Sequence, residues 1–377
     1  MNPLLDRLMR QAARLTRGGH LDEATRAIQR TLADAFAAPA GREAEAPAAA
    51  ANDERLVIDV ESRVVRETAP AEAPPDAQGI PRAAPDADAG TEEWIDGLFA
   101  HQNRQLAYKL FVPARGAGTP RPLVLMLHGC TQNPEDFAAG TGMNQLAREH
   151  GFLVLYPAQA QRAHATRCWN WFKSQHQARG RGEPALLAEL TGSIVEDRAV
   201  DPARVYVAGL SAGGAMADIL GRAYPERFAA VGVHSGLPAG AAGAAGDLMA
   251  ALGLMKNGPQ DFSPSPSAVP PTIVFHGDAD ATVHARNGDA VAQAALAGRD
   301  VARLRTSTES GRSAAGRGYT RRVHADAEGR PMVEHWCLHG AGHAWSGGSA
   351  QGSYTDPAGP DASAEMLRFF LAHRAAG

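Results

Sequence analysis

Gly209-Leu210-Ser211-Ala212-Gly213 sets one serine among small residues, and Asp280 and His343 follow it in the chain. Serine, histidine and aspartate gathered in one site perform acyl transfer: the imidazole takes the serine proton, the oxygen attacks a carbonyl, and the carboxylate fixes the imidazole tautomer. The pentapeptide follows the apolar run Val205-Tyr206-Val207-Ala208 and precedes Gly214-Ala215-Met216-Ala217-Asp218-Ile219-Leu220. The first run predicts a buried strand and the second the start of a helix. A sharp turn between them pushes the serine oxygen out of the sheet edge. The backbone N–H of Ala212, at the helix N-terminus, then faces the oxyanion that forms on attack. With 40 glycines among 377 residues, roughly 0.2 such matches arise by chance, so the pentapeptide needs its partners.

His276-Gly277-Asp278-Ala279-Asp280-Ala281-Thr282-Val283 follows the apolar run 273–275. Its spacing selects Asp280 as the acid and leaves Asp278 as a turn cap. Gly340-Ala341-Gly342-His343-Ala344-Trp345 follows a run ending near Leu338, and a glycine-flanked loop suits an accessible imidazole. The order Ser211, Asp280, His343 is one of the known triad orders. His128-Gly129-Cys130-Thr131-Gln132 follows the run 123–127. The backbone N–H of Cys130 is the second candidate oxyanion donor, with His128 as a support of the turn. His335, His339 and His343 recur every four residues, but Gly340 and Gly342 make this strand and loop rather than a helix face, so no metal and no cofactor are predicted. Trp169 and Trp171 lie in a loop region beside Cys168, and Trp345 lies two residues after His343. They suit contact with an acyl chain, a polymer repeat or an aromatic ring, or, for Trp169 and Trp171, anchoring of a long loop.

These groups must be positioned by a sheet. Residues 106–112 alternate like a half-exposed strand, whereas 123–127 and 152–156 are continuous apolar runs, as buried parallel strands are. Runs at 205–208, 230–233, 273–275 and 333–338 continue the series, helical stretches lie between, and 362–374 reads as a closing helix. The alternation predicts an α/β fold with a mostly parallel sheet. Residues 1–38 read as a helical hairpin around Gly18-Gly19, suited to self-association. Residues 39–91, rich in Ala, Pro, Glu and Asp, read as a disordered linker. The chemistry is thus assigned to 92–377.

A net charge of −4 gives no reason to expect a nucleic-acid partner, and no apolar stretch approaches the roughly 18 residues of a membrane span. The first twenty residues alternate Leu and Met with Arg and Asp and lack a signal peptide's apolar core and cleavage site, which predicts a cytoplasmic protein. Three cysteines are too few for a disulfide scaffold. A Cys130–Cys168 bridge would tie the candidate oxyanion loop to the Trp169 loop; in a reducing cytoplasm, free thiols are the equal alternative.

The strand followed by His128-Gly129-Cys130-Thr131-Gln132, then Arg167-Cys168-Trp169-Asn170-Trp171-Phe172, Gly209 through Gly214, His276-Gly277 through Asp280, and Gly342-His343-Ala344-Trp345-Ser346-Gly347-Gly348 resemble the polyhydroxybutyrate depolymerase family of esterases. The resemblance covers roughly 95–375. It implies an α/β-hydrolase fold, a triad of Ser211, Asp280 and His343, an oxyanion loop at Cys130, and substrate contact by Trp345. It also implies a polyester, an oligomer or a small ester as substrate. Feruloyl and acetylxylan esterases share the family, which gives plant-derived esters as the alternative. Many members are secreted, so the resemblance also offers an extracellular location.

Overall fold

A computed structural model describes residues 90–114, 119–241, 248–260, 262–263 and 269–375. The expected hairpin (1–38) and nearly all of the expected linker lie outside the described residues. The described residues build a ten-stranded sheet in the order β1-β2-β4-β3-β5-β6-β7-β10-β9-β8. These strands are β1 Glu93–His101, β2 Arg104–Val112, β3 Arg121–Leu127, β4 Leu153–Ala158, β5 Val200–Leu210, β6 Ala230–His234, β7 Thr272–Gly277, β8 Arg305–Arg312, β9 Gly318–Ala325 and β10 Pro331–Leu338. The six from β4 to β10 in that order pair in parallel, and antiparallel strands flank them on both edges.

The parallel strands are the continuous apolar runs because both sheet faces are covered. Side chains alternate between the faces, so β3 sends Leu123, Leu125 and Leu127 to one core and Val124 and Met126 to the other. The first core receives α3 (Gly182–Asp197), α4 (Ala212–Ala223), α5 (Leu248–Asn257) and α6 (Arg286–Ala297). The second receives Phe137 of α1 (Pro134–Thr141), Met143 and Ala147 of α2 (Met143–His150), and Met366, Phe369 and Phe370 of α7 (Ala362–Leu371). Among the described residues, no helix is long and apolar enough to cross a membrane.

This topology decides where chemistry can occur. β3, β5, β7 and β10 run in one direction, so the loops that follow them open along one edge of the sheet, where ligands of α/β proteins bind. Those four loops carry Cys130, Ser211, Asp280 and His343. The closing helix stops at Leu371, three residues short of the expected end. His373 instead turns to hydrogen bond the Pro331 carbonyl at 2.9 Å.

Candidate active site

β5 ends at Leu210 and α4 begins at Ala212, so Ser211 alone makes the turn, at φ 58° and ψ −119°. A β-carbon at such a φ is strained, and strain of this kind persists only where neighbours over-determine it. Here the Ser211 N–H donates to the His234 carbonyl and the Ser211 carbonyl accepts from Ala215, both at 2.9 Å. Gly213 supplies the remaining condition. A β-carbon there would sit 2.0 Å from the Leu127 carbonyl oxygen and 2.6 Å from that of His128, so only glycine lets α4 start against the end of β3.

Asp280 sits in the turn after β7 with its side chain fully buried. Oδ1 accepts from the Thr282 and Val283 N–H groups at 2.9 and 2.8 Å, and Oδ2 accepts from His343 Nδ1 at 2.7 Å. His276 Nε2 lies 3.5 Å from the same Oδ2. Burial by itself raises the carboxyl pKa, but the neighbouring His276 and His343 imidazoles and the backbone donors outweigh it and hold Asp280 well below the usual carboxylate range. Asp280 is therefore a charged acceptor. A proton on His343 Nδ1 leaves the Nε2 lone pair free to take another.

The loop bearing His343 is fastened to the loop bearing Asp280. Asp278 and Ala279 N–H groups donate to the Leu338 and Ala341 carbonyls at 3.1 Å each. Asp278 Oδ1 accepts from Gly340 N at 2.6 Å, and Oδ2 lies 3.0 Å from His339 Nδ1. Asp278 is thus a clasp between two loops rather than the cap of its own turn that the sequence suggests. His234 fastens the other side. Its Nε2 accepts from the Ser346 N–H at 3.0 Å, and its ring stacks on Trp345 at 5.1 Å. Through its carbonyl to Ser211 and its ring to Ser346, one buried residue links the elbow to the histidine loop. Burial keeps this imidazole neutral, with its pKa lowered to about 3. Sequence reasoning missed His234, because only its place at the end of β6, beside β5 and β7, gives it these partners.

The loop after β3 lies against the elbow: a β-carbon on Gly129 would be 3.7 Å from Ser211 Cβ. Among the described residues, neither the Cys130 N–H nor the Ala212 N–H has a hydrogen-bond acceptor. Cys130 is joined to Cys168 by a disulfide across a separation of 38 residues, so of the two alternatives the structure takes the bridge. Reduction is expected to destabilise the fold by about 4 kcal/mol on chain-entropy grounds for a loop of this length. Thermal unfolding with and without a strong reductant checks this, and an unchanged midpoint would remove the disulfide's stabilising role.

The tryptophans correct the expectation of substrate contact. Trp345 is 1 % exposed, donates to Ser363 Oγ at 3.0 Å and meets Phe137 edge-on. It pins the histidine loop to the core and presents no face to a ligand. Trp169, also 1 % exposed, donates to the His128 carbonyl at 3.1 Å, and Trp171 is buried against Phe172. Their other reading, loop anchors, fits this packing. The exposed aromatic beside the oxyanion loop is Tyr354, whose hydroxyl lies 3.2 Å from Thr131 Oγ1. The regular spacing of His335, His339 and His343 gathers no common site: His343 turns to Asp280, His339 to Asp278, and His335 lies 3.8 Å from Asp289. Asp278, Cys337 and His339 do bring one potential metal-ligand atom each within 4.8 Å of one another. Both His339 nitrogens, however, are engaged, Nδ1 with Asp278 and Nε2 with Thr320.

Against this geometry the similarities to known proteins take their meaning. Residues 106–314 match the family described as Esterase PHB depolymerase. Poly(3-hydroxyalkanoate) depolymerase C of Paucimonas lemoignei is 30 % identical over 240 residues, covering 59 % of this chain and 54 % of that protein. Acetylxylan esterase A of Talaromyces purpureogenus is 28 % identical over 218 residues, covering 53 % and 55 %. The chain thus spans about half the length of these relatives. An acetyl xylan esterase from Aspergillus awamori superposes with a TM-score of 0.59 at 19 % identity, over 75 % of this chain and all of that one, which establishes the α/β-hydrolase fold. The family match takes in more than half of the 377 residues, from β2 through Asp280 to β8, and this chain belongs to the Esterase PHB depolymerase family.

Proposed function

We propose that the protein is a serine esterase that hydrolyses poly-3-hydroxybutyrate or its oligomers, with Ser211, His343 and Asp280 as its triad. The observation that carries the reading is the 2.7 Å bond from His343 Nδ1 to a buried, charged Asp280, at the same sheet edge as a strained Ser211. His343 Nε2 takes the Ser211 hydroxyl proton as Oγ bonds to the ester carbonyl carbon. The carbonyl oxygen gains the electron pair and is met by the Cys130 and Ala212 N–H groups. Collapse expels the alcohol, which leaves with the proton from His343. Water then repeats the sequence on the acyl-enzyme, releasing the acid and restoring Ser211.

The relative named as a poly(3-hydroxyalkanoate) depolymerase supports the polyester substrate. Relatives named as an acetylxylan esterase and a feruloyl esterase favour a second reading, acetyl or feruloyl esters of plant origin. The Cys130–Cys168 bridge favours an oxidising compartment over the cytoplasm.

The test is initial hydrolysis rates of the protein and of Ser211→Ala on 3-hydroxybutyrate oligomers, amorphous polyhydroxybutyrate, acetylated xylan, methyl ferulate and p-nitrophenyl acetate. Activity highest on the hydroxybutyrate substrates and reduced about 10⁴-fold or more by the substitution is the expected result. Preference for acetylated xylan or ferulate would replace the polyester reading with the second. Activity that survives in Ser211→Ala would overturn the triad.

A further inference from the structure

A groove of about 970 Å³ lies between the turn joining β1 to β2 and the loop that follows β4. His101, Arg104, Arg162 and Lys173 stand along it. Among the described residues none of the four has an acidic partner, whereas Arg148, Arg179, Arg204 and Arg222 each hold one. The sequence concentrates this charge: residues 157–182 contain Arg162, Arg167, Lys173, Arg179 and Arg181 and no acid, in a chain of net charge −4. Glu183 is the acid that lines the groove, and its oxygens are already engaged. Oε1 accepts from Gln159 Nε2 at 2.7 Å and Asn170 Nδ2 at 2.6 Å, and Oε2 accepts from the Asn170 N–H at 2.7 Å. The groove therefore presents a surplus of positive charge, which suits an anion carrying a carboxylate.

Its place relative to Ser211 follows from the sheet. Ala107 near the start of β2 pairs with Ala158 at the end of β4, and β4, β3 and β5 run parallel. The groove mouth thus opens on the edge that carries the nucleophile. The order β2-β4-β3-β5 separates them by three strand spacings, about 14 Å. The groove wall is also bonded to the candidate oxyanion loop: the Gln159 N–H donates to His128 Nε2, and Trp169 Nε1 donates to the His128 carbonyl, both at 3.1 Å.

Resting on the esterase reading above, we propose that this groove receives the free carboxylate at the acid end of a linear hydroxyalkanoate oligomer while an ester a few units away lies over Ser211. Cleavage of that ester leaves the carboxylate on the departing alcohol fragment, so the groove holds a leaving product rather than the acyl-enzyme. A long polymer offers one such end per chain, whereas every short oligomer offers one at high molar concentration. Oligomers are then the preferred substrates.

The test compares a 3-hydroxybutyrate tetramer as its free acid and as its methyl ester. For the unaltered protein the acid should have a KM about tenfold below that of the methyl ester, and the advantage should shrink at high salt. In the double variant Arg104→Gln/Lys173→Gln the ratio should fall to near one. Equal KM values in the unaltered protein, or a ratio that survives in the variant, would overturn the proposal. Calorimetric binding of both tetramers to Ser211→Ala separates this from the catalytic reading. Acid-selective binding without hydrolysis by the unaltered protein would keep the groove and discard the esterase assignment. Hydrolysis of both tetramers at equal KM would do the reverse.

Discussion

Asp280→Asn is expected to lower kcat about 10⁴-fold while the protein stays folded. Asp280 Oδ1 is committed to the Thr282 and Val283 N–H groups. An asparagine that keeps its oxygen there must turn its NH₂ toward His343 Nδ1. That NH₂ donates, so Nδ1 becomes the acceptor and the ring proton moves to Nε2. A protonated Nε2 cannot take the Ser211 proton, and the chemistry is lost through the tautomer although every atom remains in place. Asp278→Asn is the matched control. Asp278 clasps His339 and Gly340 rather than His343, so its loss loosens the loop and should cost about tenfold or less. The measurement is kcat on p-nitrophenyl acetate for both variants beside their unfolding midpoints. A larger loss in Asp278→Asn would reverse the assignment of the acid.

The two aspartates show how far the sequence alone could be read. Spacing after an apolar run points to Asp280 rather than Asp278, and Asp280 is the one that meets His343; a carboxylate's distance from a strand end is a local property. The parallel strands were legible for a similar reason: burial on both faces forces unbroken apolar runs such as 123–127. The flanking strands lack that signal. β8, Arg305–Arg312, is almost wholly exposed and carries no apolar residue, and it becomes a strand only by pairing with β9. Nothing in its own composition demands it.

The tryptophans fail in the opposite way. Their amphipathic rings near a nucleophile fit a binding surface and a buried anchor equally well in sequence. The deciding partners are distant in the chain, as Ser363 is for Trp345 and the His128 carbonyl is for Trp169. His234 was hidden for the same reason, since its bonds to Ser211 and Ser346 exist only once β5, β6 and β7 are side by side. The cysteines left two states open that composition could not separate, and the closeness of the two loops selects the disulfide.

His128→Ala is expected to lower kcat about 10²–10³-fold with KM changed little. The carbonyl of Gly129 and the N–H of Cys130 belong to one planar trans peptide and point in opposite directions. His128 Nδ1 lies 2.7 Å from that carbonyl, while Nε2 accepts from the Gln159 N–H at 3.1 Å. Because Nε2 must accept, the proton sits on Nδ1 and holds the Gly129 oxygen, which fixes the Cys130 N–H in the opposite direction. Burial lowers the His128 pKa to about 4, so the ring is neutral near pH 7. A second proton would set Nε2–H against the Gln159 N–H. Without the ring, the Gly129 carbonyl keeps only the longer 3.4 Å bond from the Gln132 N–H, and one of the two candidate oxyanion donors loses much of its aim. The substrate carbonyl carries little charge before attack, so binding should change far less than turnover. A boronic acid that forms a tetrahedral adduct on Ser211 should therefore lose affinity in step with kcat, while a ground-state competitive inhibitor keeps its own. A variant with an unchanged unfolding midpoint and kcat within tenfold of the unaltered protein would mean that the disulfide alone aims the Cys130 N–H. Equal losses for both inhibitors would mean that His128 only supports the fold.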